Sequence, residues 1–301
     1  MPATYFVCVD WGTTSFRLWL LSAGGEVKAE RRSSQGMALL ARDEFSPVLE
    51  SALRELSVDL MSPVIICGMA GAAQGWQEAK YLDLPTKLDG IPAQAIRVDG
   101  SERDIRILPG LAQRLESAPD VIRGEETLIL GAQLKGQGDG LYCLPGTHSK
   151  WIEVNAGAVT RFNTVMTGEL FALLSTSSTL STYAKSDRSD LYKDAAFEQG
   201  VRDAFKDPTT ISSLIFSARA TPLVFGNDKA TEMPARLSGL LIGSEVAAMD
   251  RDKPVTLIAN GGLEMSYKTA FEITGFTSSS LPSDDLALSG LIYAAEAIWG
   301  K

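Results

Sequence analysis

The sequence predicts an α/β fold with an internal duplication, and three observations predict it. Strand-like apolar runs and stretches of helical periodicity both recur along the chain. A turn of the form Gly-Thr-x-Ser occurs twice, in DWGTTSFRLW and in LPGTHSKW, each time between two apolar runs. The flanking segments also match, as strand, turn, strand, glycine turn, strand. At 301 residues the chain allows two domains of ordinary size or one large one.

In order, residues 5–9 form a continuous apolar run, the mark of a strand buried on both faces. Residues 10–15 are a polar turn with one glycine. Phe16, Leu18 and Leu20 alternate with Arg17 and Trp19, a strand of period two. Gly24-Gly25 signals a hairpin, and residues 27–32 read as a third, more exposed strand. Val48, Leu49, Leu53 and Leu56 give residues 45–56 helical spacing. Residues 64–67 are a buried strand, leading into Gly68-Met69-Ala70-Gly71 and Gln74-Gly75-Trp76. A short strand at 105–108 meets a Pro109-Gly110 turn. Arg123-Gly124-Glu125-Glu126-Thr127 opens a helix that runs to about residue 134, and acids in its first turn suit the helix dipole.

The second half repeats the opening. Residues 141–144, 151–154 and 159–165 are strands, with turns at 145–149 and 156–157. Helical stretches follow at 168–175, 195–205, 237–249 and 285–299. A buried strand at 255–259 ends in Asn260-Gly261-Gly262.

Composition bounds the chemistry. The chain is 45% hydrophobic and 22% charged, as in soluble globular enzymes. Its net charge of -9, from 28 basic and 37 acidic residues, repels phosphate backbones and argues against nucleic acid. A local basic pocket for a small anion is compatible with it. Cys8, Cys67 and Cys143 lie in separate apolar runs without a CxxC or Cys/His cluster, so buried reduced thiols are expected. No signal peptide precedes Tyr5, and no apolar run reaches the ~18 residues of a membrane span. A reducing cytoplasm is the expected compartment.

The repeated turn carries the functional signal. A turn between strands presents backbone N–H groups, glycine admits close approach, and Thr or Ser adds hydroxyls. Together they make an anion-binding concavity. Two such turns can hold a polyphosphate from both sides, with Asp10 supplying a carboxylate for Mg²⁺. No Walker loop and no G-x-G-x-x-G occurs, and no G-x-S-x-G elbow supports a serine hydrolase.

DWGTTSFRLW, GMAGAAQGW, RGEET, LPGTHSKW and ANGGL, in this order, resemble the 2-dehydro-3-deoxygalactonokinase family. That family belongs to the sugar kinase, hexokinase and actin-like ATPase superfamily. The resemblance runs from residue 5 to the end. It implies two actin-like (ribonuclease H-like) domains, 1–133 and 134–301, each a mixed five-stranded sheet with flanking helices, and a cleft between them for nucleotide and sugar acid. It also implies ATP, Mg²⁺ and a small sugar acid as ligands, with a homodimer as an allowed assembly.

Roles follow by position. Asp10 would organise Mg²⁺. Gly12, Thr13 and Thr14 would approach the β- and γ-phosphates from one side, and Gly146, Thr147 and Ser149 from the other. Asn260, Gly261 and Gly262 match the adenosine motif, where a side chain would collide with the nucleotide. Arg17 and Lys150 would neutralise charge in phosphoryl transfer; plain strand alternation is the competing reading of both.

The base is expected at Glu125-Glu126, with Glu125 preferred because it follows the glycine directly. Adjacent helical residues point ~100° apart, so only one faces the sugar well. Arg123 is the candidate cation for the substrate carboxylate, a surface salt bridge being its alternative. Gln74 and Trp76 would wall the substrate, Trp76 reading equally as a core aromatic. Thr167 and Glu169 are further candidates. His148, the lone histidine, reads as structural, with phosphate contact as its alternative.

The implied activity is ATP-dependent phosphorylation of 2-dehydro-3-deoxy-D-galactonate at its terminal hydroxyl. Another sugar or sugar acid is the enzymatic alternative, and a non-catalytic ATP-binding switch protein on the same fold is the rival of another class. A switch has no need of an acid at 125 or 126.

Overall fold

The first apolar run folds as β1 (Tyr5–Trp11) and pairs antiparallel with β2 (Phe16–Ser22), which pairs antiparallel with β3 (Val27–Ser33). The computed structural model describes residues 5–22, 24–184 and 188–300. Helix α1 (Phe45–Glu55) buries Phe45, Leu49, Ala52 and Leu53 along one stripe, as its spacing requires. Strand β4 (Val64–Gly68) is buried throughout and runs parallel to β1. Short strands β5 (Leu82–Asp83), β6 (Thr86–Lys87) and β7 (Ile96–Arg97) follow, then β8 (Ile105–Ile107), parallel to β4. The resulting sheet has the order β3-β2-β1-β4-β8-β7. It is the expected mixed five-stranded sheet with a two-residue strand added at one edge. Strands β9 (Leu111–Gln113) and β10 (Asp120–Ile122) join β5 in a small third sheet ahead of helix α2 (Glu125–Leu134).

The second half builds β11 (Gly140–Leu144), β12 (Ser149–Asn155) and β13 (Ala158–Val165), then helices α3 (Thr167–Ser177), α4 (Ser181–Ala184), α5 (Ala195–Lys206), α6 (Ile211–Phe225) and α7 (Met233–Ala247). Strand β14 (Val255–Ile258), helix α8 (Gly261–Thr274), strand β15 (Ser278–Leu281) and helix α9 (Ser283–Trp299) complete the chain. The second sheet runs β15-β14-β11-β12-β13-β6, again five strands plus a two-residue edge. This duplicated mixed sheet is the fold class that the family resemblance implied. Helices α6 and α8 were not apparent in the sequence.

The chain divides into two compact units. Unit 1 holds Met1–Asp139, Val154–Phe162 and Ser283–Lys301; unit 2 holds Gly140–Glu153 and Asn163–Pro282. Where the sequence suggested one cut after residue 133, the last helix instead groups with unit 1. Its seat is tight: a Cβ on Gly131 would overlap the Leu286 carbonyl, and one on Gly290 the Thr127 carbonyl. Helices α2 and α9 therefore cross at backbone contact. Each unit has its own core, one around Val9, Trp11, Phe45 and Ile66, the other around Trp151, Phe197, Tyr267 and Phe271. No helix among the described residues is long and apolar enough to cross a membrane. All three cysteines are free and buried.

Candidate active site

In unit 1, Asp10 sits near the end of β1, in register with Arg17 of β2 and Cys67 of β4. The turn that follows closes with the Gly12 N–H donating to the Ser15 carbonyl at 2.9 Å. A second segment braces it from behind: Met37 N–H donates to Gly12 O at 3.0 Å and Ala38 N–H to Thr13 O at 2.9 Å. Gly36 is obligatory for that approach, since a Cβ there would overlap the Thr13 carbonyl. Thr13 and Thr14 remain exposed and Gly12 half-buried.

Two glycines bring the start of α2 to this strand end. Gly68 has φ +88° and Gly124 φ +102°, values that L side chains rarely adopt. A Cβ on Gly68 would lie 2.7 Å from the Trp11 carbonyl, and one on Gly124 3.4 Å from the Gly68 Cα. The two residues abut, so Glu125 and Glu126 begin their helix beside the ends of β1 and β4. Glu125, half-buried, accepts the Arg123 N–H on Oε2 at 2.9 Å. Glu126 is 1% exposed and accepts the Gly124 N–H on both oxygens, at 2.9 and 2.8 Å. Burial, then repulsion from Glu125, pushes the Glu126 carboxyl up to about 7.

The electrostatics around Asp10 favour a cation. Burial raises its pKa, and the Glu125 and Asp284 carboxylates add to the rise; Arg17 and the Cys67 thiol, 3.8 Å from Oδ1, pull the other way. The net direction is up. Arg17 is already engaged, its Nη1 2.9 Å from Asp284 Oδ1 in the first turn of α9. Arg32 Nη2 holds the other oxygen of Asp284 at 3.1 Å. Burial alone would raise the Asp284 carboxyl, but the two guanidinium groups hold it below its ordinary range.

Arg123 is 8% exposed. Its Nη2 donates to the Ala79 carbonyl at 2.8 Å and its guanidinium lies 4.3 Å from the Tyr81 ring centroid. Its Nε and Nη1 are buried without a hydrogen-bond partner among the described residues. Burying a guanidinium with two nitrogens that make no hydrogen bond carries a desolvation cost, offset in part by the Tyr81 face and the nearby Glu126 carboxylate. Gln74 is exposed on the same loop. Trp76 is half-buried, its ring 6.2 Å from both Trp11 and Phe45, which places it at the rim of the core.

In unit 2, the start of α3 packs directly on the second turn. A Cβ on Gly168 would overlap the Gly146 carbonyl, and Glu169 N–H donates to Thr147 O at 2.9 Å. His148 Nε2 meets Glu169 Oε2 at 2.5 Å, so this exposed pair clamps the turn to the helix. Lys150 is buried, its Nζ donating to the His148 carbonyl at 2.9 Å. Two hydroxyls face inward: Ser149 Oγ is 2.8 Å from Tyr267 OH, and Thr167 Oγ1 donates to Glu245. Burial raises the Glu245 carboxyl, while donation from Thr167, Tyr267 and Trp151 pulls it back.

Asn260 precedes α8, Gly261 takes φ +63°, and a Cβ on Gly262 would overlap the Ser189 carbonyl. Gly146, Gly168 and Gly262 line a cavity of about 250 Å³ with Phe171, Leu241 and Leu263. A larger cavity of about 790 Å³ shares Arg188 with it. The cations of that larger cavity face acids: Arg188 meets Asp190 and Asp194, Lys229 meets Glu232, and Arg236 meets Asp203.

The structure thus gathers Asp10, Arg17, Glu125, Glu126 and Arg123 in unit 1, and Gly146, Thr147, Ser149, Lys150, Thr167, Glu169 and the Asn260–Gly262 stretch in unit 2. Asp284 and Glu245 did not stand out in the sequence. An acid in a first helical turn reads as a cap, and an acid within an apolar helix reads as surface. Among the described residues, no group of three or more His, Cys, Asp or Glu side chains is placed to hold a metal. Magnesium does not need one, because a carboxylate or two with waters and phosphates suffices.

A family model described as 2-keto-3-deoxy-galactonokinase matches residues 10–294. A Rhizobium meliloti (strain 1021) protein named "Probable 2-dehydro-3-deoxygalactonokinase" is 43% identical over 302 residues, covering 99% of this chain and 98% of its own. The Escherichia coli (strain K12) 2-dehydro-3-deoxygalactonokinase is 32% identical over 303 residues, covering 99% of each. A crystal structure from Sinorhizobium meliloti, given the same enzyme name provisionally, superposes with TM-score 0.93 at 42% identity over 99% of this chain and 100% of that one.

Proposed function

The chain belongs to the 2-keto-3-deoxy-galactonokinase family, and on that premise we propose that it transfers the γ-phosphoryl group of ATP to the terminal hydroxyl of 2-dehydro-3-deoxy-D-galactonate. The products are the 6-phosphate and ADP. The observation that carries the reading is the convergence at the Gly68–Gly124 contact. There Asp10, a carboxylate that burial and neighbouring acids destabilise, lies near the half-buried carboxylate of Glu125, and Arg123, the residue before Gly124, keeps two buried guanidinium nitrogens without a hydrogen-bond partner. A sugar-acid kinase needs each of these.

Arg123 takes the substrate carboxylate, its charge already desolvated and its plane fixed on Tyr81. Glu125 orients the terminal hydroxyl and accepts its proton late in the transfer; its bond to the Arg123 N–H fixes where the carboxylate points. Glu126 positions it, tying down the Gly124 backbone from a buried site. Asp10 fits a one-carboxylate magnesium site, because a cation beside it relieves the burial and repulsion that raise its pKa. Magnesium, when bound, would offset the charge of the β- and γ-phosphates.

The nucleotide falls to unit 2. The apolar walls Phe171, Leu241 and Leu263 suit an adenine ring. The start of α8 and the Gly146–Thr147 backbone offer N–H groups for phosphate. Lys150, buried beneath that turn, adds a positive charge and fixes the His148 carbonyl. Arg17 shares its charge with Asp284 through Nη1, so any phosphate contact it makes uses its other N–H groups or competes with that pair. A cytoplasmic location accords with three buried free thiols.

Product analysis tests the reading. With ATP, Mg²⁺ and 2-dehydro-3-deoxy-D-galactonate, ¹³C NMR should show phosphorus coupling at C6. Coupling at another carbon, or no phosphorylated product, would overturn it.

A further inference from the structure

We propose that Glu245 is a positioning residue for nucleotide binding, its buried carboxylate fixing the phosphate turn of unit 2 against helix α8. The proposal rests on the reading of the glycine-lined cavity as the nucleotide site. Glu245 lies on α7 and is 3% exposed. Three groups from three other elements donate to it. Trp151 Nε1 of β12 does so at 2.8 Å, Tyr267 OH of α8 at 2.7 Å, and Thr167 Oγ1 from the start of α3. A fourth joins through the tyrosine: with its proton directed at Glu245, the Tyr267 oxygen accepts from Ser149 Oγ at 2.8 Å. Ser149 ends the phosphate turn and Thr167 begins the helix that packs on it. Tyr267 belongs to the helix that starts with Gly261-Gly262. One carboxylate therefore connects both sides of the cavity.

The chemistry of the donors requires that carboxylate. An indole N–H can only donate, and the tyrosine and threonine protons point the same way, so the centre must accept from all three. Ionised Glu245 does. A glutamine has one accepting oxygen; turned to the indole, it sets its NH₂ against the Thr167 and Tyr267 hydroxyls, which must then accept and turn their protons elsewhere. Tyr267 has only Ser149 Oγ to receive its proton, which reverses the link to the turn, and the buried Thr167 hydroxyl gives up the acceptor it had. Helix α3, helix α8 or the turn must then shift to relieve it. Each borders the cavity through Gly168, Gly262 or Gly146, where carbonyls sit too close to admit even a Cβ at Gly168 or Gly262.

The test separates ligand from ligand. Glu245→Gln and Tyr267→Phe are compared with the wild type by calorimetric binding of a non-hydrolysable ATP analogue and by KM for ATP and for the sugar acid. Circular dichroism establishes that each variant is folded. Each single variant should weaken the analogue about tenfold, the scale of one buried unsatisfied donor, and leave the sugar-acid KM within about twofold. The double variant should be no weaker than the worse single, because both changes break one network. Nucleotide affinity at the wild-type value in either folded variant would overturn the proposal. So would an equal loss for both ligands, the mark of general destabilisation. If Glu245→Gln does not fold, Tyr267→Phe alone decides. A wild type that binds no analogue would remove the nucleotide reading itself, an outcome distinct from an unaffected variant.

Discussion

At the scale of single residues, the two adjacent glutamates are set apart by environment. Glu125 is half-buried and held by one N–H; Glu126 is buried and holds the backbone. Glu125→Gln should lower kcat by about 10²–10⁴, the range of a general base, with a smaller effect on sugar-acid KM. A larger kcat loss in Glu126→Gln than in Glu125→Gln would reverse the assignment. Glu126 also predicts a pH effect on stability. Its folded pKa of about 7 lies above the ordinary 4.5, so between those values the native state keeps a proton that the unfolded chain has lost. Its contribution is fully present below pH ~4.5 and is lost as pH rises through ~7, by about 3 kcal/mol in all. Urea unfolding at pH 5 and pH 8 should show a wild-type decline that is smaller by most of that amount in Glu126→Gln. Equal declines would contradict the assignment. Asp10→Asn, which weakens the hold on the metal, should cut turnover at least about a hundredfold with the circular dichroism spectrum unchanged.

At the scale of elements, the local signals carried. The repeated turn is written in glycine and hydroxyl residues between strands, and both copies fold where they were expected. Amphipathic stripes placed α1 and α5 almost to the residue. Helices α6 and α8 escaped for physical reasons. ISSLIFSARATPLVF is apolar on more than one face, so it shows no stripe, and α8 opens on two glycines, weak helix formers whose value here is close approach. The inward turn of Ser149 follows from period two: it shares a strand face with buried Trp151. The Asp284 grip on Arg17 and Arg32 joins segments far apart in sequence, and nothing local announces it. The Gly68–Gly124 contact makes an element-level prediction. Gly124→Ala, forced to φ near +102°, should lose about 1–3 kcal/mol in urea unfolding. It should also lower kcat more than nucleotide affinity, since it tilts the start of α2. Unchanged stability would mean that the strained backbone is not required.

At the scale of the whole molecule, the proposed division, nucleotide on unit 2 and sugar acid on unit 1, predicts separable protection. An ATP analogue alone should slow amide exchange in unit 2, at the 146–150 turn and the start of α8. The sugar acid alone should slow it in unit 1, over residues 68–76 and 123–127. Exchange falling in both units alike with either ligand would contradict that division. The net charge of -9 disfavours polyanions, and Lys150 and Arg123 are buried rather than part of a basic surface.

The central claim is the kinase activity on one sugar acid, and a coupled ATP-to-ADP assay tests it most directly. The purified protein is given Mg²⁺, ATP and, in turn, 2-dehydro-3-deoxy-D-galactonate, other 2-keto-3-deoxy sugar acids, aldonates and free hexoses. The account predicts strong turnover with the galactonate derivative and little with free hexoses, which offer Arg123 no carboxylate. Turnover with hexoses at the same efficiency, or ATP binding without turnover on any of them, would contradict it.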